Sequence, residues 1–204
     1  MRKTVLTLAA LALVASPAFA GKFNKKISVG DKAPNFSGVP AVMKDQDTSL
    51  SLNDIKDDVV VIVFLANHCP VVTAYEDRVI EFANAYKDKG VKVVGVAVSG
   101  SRTRSQDDLP MIKKRVSEKG YSFAYGFDES QDVGRAYGAT NTPQFVVLDK
   151  DRTVRYLGAM DDSQTEAKVT KTYLKDAVDA LLAGKEITVS ETRPQGCGIQ
   201  YDKK

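Results

Sequence analysis

After the acidic pair Asp57-Asp58 the chain runs through Val59-Val60-Val61-Ile62-Val63-Phe64-Leu65. Seven consecutive apolar residues, mostly β-branched, predict a strand buried on both faces. From Pro70 to Lys89 the apolar positions Val72, Tyr75, Val79, Phe82 and Tyr86 recur at spacings of three and four, which predicts an amphipathic helix closed by Gly90. Val91 to Val98 repeats the β-branched pattern, and Leu109 to Lys119 predicts a helix with Pro110 in its first turn and Gly120 after its end. Tyr121–Phe127 predicts a further strand and Asp132–Tyr137 a short helix before Gly138. The segments Gln144–Leu148 and Thr153–Leu157 flank Asp149-Lys150-Asp151-Arg152 and predict a hairpin. A last helix is predicted over Thr165–Ala183, with an apolar face through Val169, Tyr173, Leu174, Ala177, Val178, Leu181 and Leu182. Strands alternating with helices, then a hairpin and a terminal helix, imply an α/β fold: a central mixed sheet with helices on both faces.

Both ends differ from this body. Gly21 to Val39 is polar and reads as an extended entry segment, whereas residues 1–20 carry a basic start (Arg2, Lys3), an apolar run from Val5 to Val14, and Ala18-Phe19-Ala20. That order is the signature of a cleaved export signal, with Gly21 as the first mature residue. The apolar run is half of the roughly twenty residues a bilayer crossing needs, and no later stretch is longer, so no membrane association is expected after cleavage. The domain expected is therefore 21–184, followed by a polar tail, 185–204, in which Pro194, Gly196 and Gly198 surround Cys197; the tail reads as mobile or loosely docked.

Charge adds little. The formal charge of the 204-residue chain is +3, and loss of residues 1–20 with Arg2 and Lys3 lowers it to +1. Arg102, Arg104, Lys113, Lys114 and Arg115 cluster in sequence, but Asp107, Asp108 and Glu118 dilute them and no aromatics interleave for base stacking, so a nucleic-acid partner is not expected.

The candidate chemistry lies at the end of the buried strand. Cys69 follows it and opens a helix, with Pro70 at a position where a missing N–H costs nothing. Unpaired N–H groups and the helix dipole favour negative charge there, so the thiol should ionise readily, and the thiolate is the reactive form. His68, the one histidine of the chain, precedes it and would add to this when protonated. The competing reading is a small buried hydrophobe beside a polar loop residue. On the helix that follows, Tyr75 and Val79 are expected to face the core, with Glu76 and Arg78 on a solvated face.

Several segments together resemble a known group. Phe64-Leu65-Ala66-Asn67-His68-Cys69-Pro70-Val71-Val72 is similar to the strand–loop–helix of thioredoxin-like proteins. Gly30-Asp31-Lys32-Ala33-Pro34-Asn35-Phe36 resembles the Gly-x-x-Ala-Pro-x-Phe entry of the redoxin and peroxiredoxin branch, and Thr142-Pro143-Gln144-Phe145 resembles the segment in which that fold sets a cis-proline beside the active cysteine. The resemblance covers about residues 28–184. Within the branch, Asn67-His68-Cys69-Pro70, Tyr75-Glu76-Asp77-Arg78, Leu181-Leu182-Ala183-Gly184-Lys185 and Gly196-Cys197 resemble an exported Asn-His-Cys-Pro group with a C-terminal Gly-Cys.

The resemblance implies a thioredoxin-like fold, a cis Pro143, and a Thr142 that offers its backbone to a bound substrate or partner thiol. Departures narrow the activity: Val72 and Ala66 leave no Cys-x-x-Cys, while Ile62 and Ala66 replace the Pro and Thr of a peroxide pocket, which counts against high peroxidase activity. Cys197 then remains as the intramolecular partner of Cys69. A resolving thiol, a permanent structural bond and pairing between chains are all open for it. The function expected is an exported thiol–disulfide oxidoreductase that needs no cofactor, acting through Cys69 and His68 with Cys197, Thr142 and Pro143, on a thiol or disulfide protein or a peroxide, and recharged by an external reductant. The alternatives are a weak thiol peroxidase, a Cu(I) or other soft-metal site built from His68, Cys69 and Cys197, and a redox-silent partner-binding domain.

Overall fold

The computed structural model describes residues 21–204; the expected export signal at 1–20 lies outside them. The strands are β1 (Val39–Met43), β2 (Gln46–Leu50), β3 (Val59–Leu65), β4 (Val91–Ala97), β5 (Ala124–Phe127), β6 (Asn141–Thr142), β7 (Gln144–Leu148), β8 (Val154–Gly158) and β9 (Cys197–Gly198). The helices are α1 (Pro70–Tyr86), α2 (Arg104–Asp107), α3 (Leu109–Lys119), α4 (Asp132–Ala136) and α5 (Tyr173–Leu182). Seven strands form one mixed sheet in the order β2-β1-β5-β4-β3-β7-β8, and β6 with β9 forms a separate two-stranded ladder. This is the mixed α/β sheet that the hydrophobic pattern implies.

Alternation along β3 shows why that strand is continuously apolar. Val61, Val63 and Leu65 enter a core shared with Val72, Tyr75 and Val79 of α1, Ile112 and Val116 of α3, and Leu174 and Val178 of α5. Val60, Ile62 and Phe64 point the other way, into a core with Ile27, Phe36, Val133 of α4 and Tyr137. Successive side chains leave a strand on opposite faces, so a strand covered on both sides cannot spare a polar position. β3 runs parallel to β4 and antiparallel to β7. The end of β3 and the start of β7 thus reach the same edge, and the Cys69 and Thr142 segments meet there.

Three expectations change. The hairpin β1–β2, which the periodicity did not predict, turns through Lys44 and Asp45, both at positive φ, and extends the sheet past β5. The last helix starts at Tyr173 rather than Thr165: Asp162 accepts hydrogen bonds from the Thr170 and Lys171 amides (2.8 and 3.0 Å), and this folds the preceding stretch into a loop. The tail is docked along its length rather than loose. Residues 190–192 lie along β8 (Leu157 N to Ser190 O 3.1 Å, Thr192 N to Leu157 O 2.9 Å), and Glu191 accepts from the amides of Lys22, Phe23 and Asn24 at 2.7–2.9 Å. Covering the edge strand in this way satisfies its exposed backbone groups. Among the described residues no helix is long and apolar enough to cross a membrane.

Candidate active site

Cys69 is the N-cap of α1, with extended backbone (φ −85°, ψ 116°) and Pro70 as the first helical residue. The 17-residue helix directs its open amides at this end. The chain reaches the cap through a tight turn in which Cys69 N donates to Ala66 O (3.2 Å), and Thr73 N returns to Cys69 O (3.1 Å). Cys69 is bonded to Cys197 in a disulfide with a Cα–Cα separation of 6.1 Å. Its Sγ lies 3.2 Å from the carbonyl oxygen of Thr142, which precedes the cis bond to Pro143. The sequence thus anticipates the placement of Cys69 at a helix start. In this oxidised form Cys69 is fully buried, in the core cluster it shares with Ala66 and Val72.

The loop before Cys69 is held by one carboxylate. Asp107, at the end of α2, is completely buried and accepts from the amides of Asn67 (2.5 Å) and His68 (3.2 Å), from His68 Nδ1 (2.5 Å), and from the Ser99 hydroxyl. A carboxylate oxygen accepts rather than donates, so His68 Nδ1 is the donor in this contact. His68 keeps about a quarter of its side-chain surface exposed. It borders a small cavity of about 70 Å³ together with Ala66, Ser99, Thr103, Thr142 and Gln200. A surface cleft of about 580 Å³ beside Phe36 and Tyr137 does not include the sulfurs. Burial raises the phenol of nearby Tyr125 well above its ordinary value, and the negative charges of Tyr121 and Asp107 push it the same way.

On the other side of Cys69, Thr142 and Asn141 pair antiparallel with Cys197 and Gly198. Gln144, itself buried, fixes this short strand by accepting from Thr140 N at 2.9 Å. The structure therefore brings Cys69, Cys197, Thr142 and Pro143 into one cluster, with His68 at its edge and turned toward Asp107. Both sulfurs are spent on each other, and no group of three or more His, Cys, Asp or Glu side chains able to hold a metal ion occurs among the described residues.

Glu76 and Arg78 depart from the solvated face expected of them. Glu76 is buried and accepts from Arg115 Nε and Nη2 (2.7 and 2.9 Å) and from the Tyr121 hydroxyl (2.8 Å). Arg78 is nearly buried; its guanidinium stacks 4.1 Å over Tyr75, pairs with Asp161, and donates to Ser163 O (3.2 Å) and Gln164 O (2.9 Å). Helical spacing fails for them because α3 and the 161–164 loop cover a wider sector of α1 than an apolar stripe records. In the sequence Asp107 reads only as a charge diluting a basic patch, and Asn141 carries no signal. No local motif marks either; they are recognised only when segments about forty and fifty-five residues apart meet.

The thiol-disulfide oxidoreductase ResA of Bacillus thuringiensis subsp. konkukian is 23% identical over 175 residues, covering 85% of this chain and 93% of that protein. Among solved structures, an uncharacterised conserved protein from Geobacillus kaustophilus is 32% identical with a TM-score of 0.78, covering 86% of this chain and 93% of its own. A thiol:disulfide interchange protein of the thioredoxin family from Chlorobium tepidum TLS shares the fold at 20% identity and a TM-score of 0.58, covering 76% of this chain and 99% of its own. The Redoxin family model matches residues 28–174, which include β3, Cys69, α1 and the Thr142–Pro143 turn. With a helix-capping cysteine, a cis-proline turn and that match in one body, the chain belongs to the Redoxin family, thiol-dependent oxidoreductases of thioredoxin-like fold.

Proposed function

We propose that this chain is an exported thiol–disulfide oxidoreductase in which Cys69 is the attacking thiol and Cys197 resolves the intermediate. The observation that carries the reading is the position of Cys69 Sγ: at the positive end of α1, 3.2 Å from the Thr142 carbonyl, and bonded to a cysteine on a separate, glycine-flanked segment. In the reduced protein the Cys69 thiolate attacks one sulfur of a substrate disulfide; that S–S bond breaks and the second sulfur leaves as a thiolate. The Cys197 thiolate then attacks the Cys69 sulfur of the mixed disulfide, the substrate leaves as its second thiolate, and the 69–197 bond closes. Two electrons pass from protein to substrate, and an external reductant must return them. His68, with Nδ1 held by Asp107, completes the proposed site next to Cys69 in the chain.

The reading is tested by exposing the reduced protein to a disulfide peptide. The Cys197→Ser chain should accumulate a mixed disulfide on Cys69 that the wild type clears, and Cys69→Ser should form none. Mass spectrometry that finds no adduct on Cys69, or stopped-flow oxidation that is faster with peroxide than with the peptide, would overturn it. Export is tested by sequencing the N-terminus of the protein from cell fractions, with Gly21 as the expected first residue.

A further inference from the structure

The tail does more than bring a sulfur to Cys69, for it lies in the site as an extended peptide. Thr142 pairs with Cys197 and Asn141 with Gly198, Ile199 N donates to Thr140 O (2.8 Å), and the Asn141 side-chain amide donates to Gly196 O (2.9 Å). This is strand addition at a short free edge, in which backbone bonds supply the affinity and the room at each side-chain position supplies the selectivity. The room differs sharply on the two sides of the cysteine. A Cβ on Gly196 would lie 2.0 Å from the Thr142 carbonyl oxygen and 2.6 Å from its carbon, and Gly196 has φ +152°, which L side chains rarely adopt. A Cβ on Gly198 would meet nothing within 4 Å. The obstacle at 196 is main chain, and it is fixed: Thr142 is buried, its loop is pinned by Gln144, and its carbonyl contacts Cys69.

We propose that this edge selects cysteines preceded by glycine, so that the protein substrates of Cys69 present an extended Gly-Cys segment with freedom at the following residue, as the chain's own tail does. The proposal rests on Cys69 being the exchanging thiol and adds the substrate class. Gly196 is accordingly the specificity-determining position of the tail, and Thr142 the backbone group that reads it. In the step concerned the Cys69 thiolate attacks the sulfur of the Gly-Cys residue, the bond from that sulfur to its former partner breaks, and the partner leaves as a thiolate.

The test is a competition on the full-length Cys197→Ser chain. A synthetic peptide copying residues 193–200, and versions of it with Gly196→Ala or Gly198→Ala, are prepared as mixed disulfides with thionitrobenzoate and offered in equimolar pairs. The adducts on Cys69 are counted by mass spectrometry. Opening of the native tail delays both members of a pair alike, so the adduct ratio reports recognition alone. The expected result is that the parent peptide outcompetes its Gly196→Ala version by about tenfold or more, as for a side chain forced into a glycine-only conformation. It should compete evenly with the Gly198→Ala version. Even capture of the Gly196→Ala peptide would overturn the glycine rule and leave Cys69 an exchange thiol; no adduct with any of the three would overturn the exchange reading and the rule with it. A second arm uses the intact tail: Gly196→Ala should lower the 69–197 closure constant in glutathione buffer by about tenfold or more, and Gly198→Ala should not.

Discussion

Replacing Asp107 removes the one acceptor shared by three donors of the Cys69 loop and the Ser99 hydroxyl after β4. The carboxylate is fully buried and accepts from Asn67 N, His68 N, His68 Nδ1 and Ser99 Oγ. Hydrogen bonds to a charged group contribute roughly 1.5–3 kcal/mol each, which would naively sum to about 6–12 kcal/mol. The bonds are not independent, and the adjoining cavity of about 70 Å³ is large enough to admit water that meets some of the donors. The expected loss for Asp107→Ala is therefore that of breaking a buried polar cluster from one side, about 3–5 kcal/mol. Asp107→Asn keeps the volume and one oxygen for the two backbone amides, but its NH₂ faces His68 Nδ1 and forces the other tautomer, so about 1–2 kcal/mol is expected. The chain has no tryptophan, so urea unfolding of the oxidised protein is best followed by far-ultraviolet circular dichroism. With a slope near 2 kcal/mol/M, the alanine midpoint should fall by about 2 M at unchanged slope and the asparagine midpoint by less than 1 M. An alanine variant within about 1 kcal/mol of wild type would refute the claim that this carboxylate holds the loop.

Breaking the 69–197 bond opens a loop spanning 128 residues, for which chain entropy gives about 5 kcal/mol. Cys197→Ser should melt about 10–20 °C below the oxidised wild type, and reduction should have the same effect; coincident melts would show that the bond does not form. Glu76→Ala should cost about 3–5 kcal/mol, because it strands Arg115 and the Tyr121 hydroxyl, and Glu76→Gln distinctly less since it still accepts from both; equal losses in urea titrations would refute the pairing. Burial raises the phenols of Tyr75, Tyr121, Tyr125, Tyr137 and Tyr156 above the ordinary 10.0. Since the folded values are the higher, their contribution is intact below about pH 10 and is lost as pH rises beyond it, where the unfolded chain ionises first. Tyrosinate absorbance and circular dichroism should then change together, and phenols that titrate near pH 10 in a folded chain would contradict the burial.

The sequence displays the parts of this molecule whose reasons are local. β3 reads as a doubly buried strand because all seven of its positions are apolar, and α3 as a helix because Pro110 and Gly120 mark its ends. The hairpin β1–β2 is hidden because β2 is polar at four of five positions and its turn uses Lys44-Asp45 instead of an Asn-Gly pair. Glu76 is of a residue type usually found at the surface, and the approach of Arg115 and Lys119 from α3, with the Tyr121 hydroxyl, permits its burial. At the candidate site the same division holds. Cys69 is marked by the strand before it and the helix after it, whereas Asp107, Asn141 and the docked tail depend on contacts 39, 55 and 101 residues away.

Those distant contacts decide how Cys197 behaves once its bond is broken. The tail is anchored upstream by Glu191 on the N-terminal amides and by Thr192 on Tyr156 and Ala159. Downstream, the Tyr201 hydroxyl donates to Ala139 O (2.7 Å), and Asp202 accepts from Ser101 N (3.0 Å). A segment tethered on both sides keeps its thiol at high effective concentration over Cys69 after reduction, so closure competes well with any thiol in solution. The segment they hold also lies beside the buried Cys69, and anything that reaches the sulfur must lift residues 196–199. Under the proposed reading, affinity for the tail thus works in two directions: it speeds the resolving step and slows substrate entry. The anchors lie outside the cysteine segment, so their strength can be changed without altering either sulfur, whereas the fit at Gly196 decides which peptide can replace the tail at all.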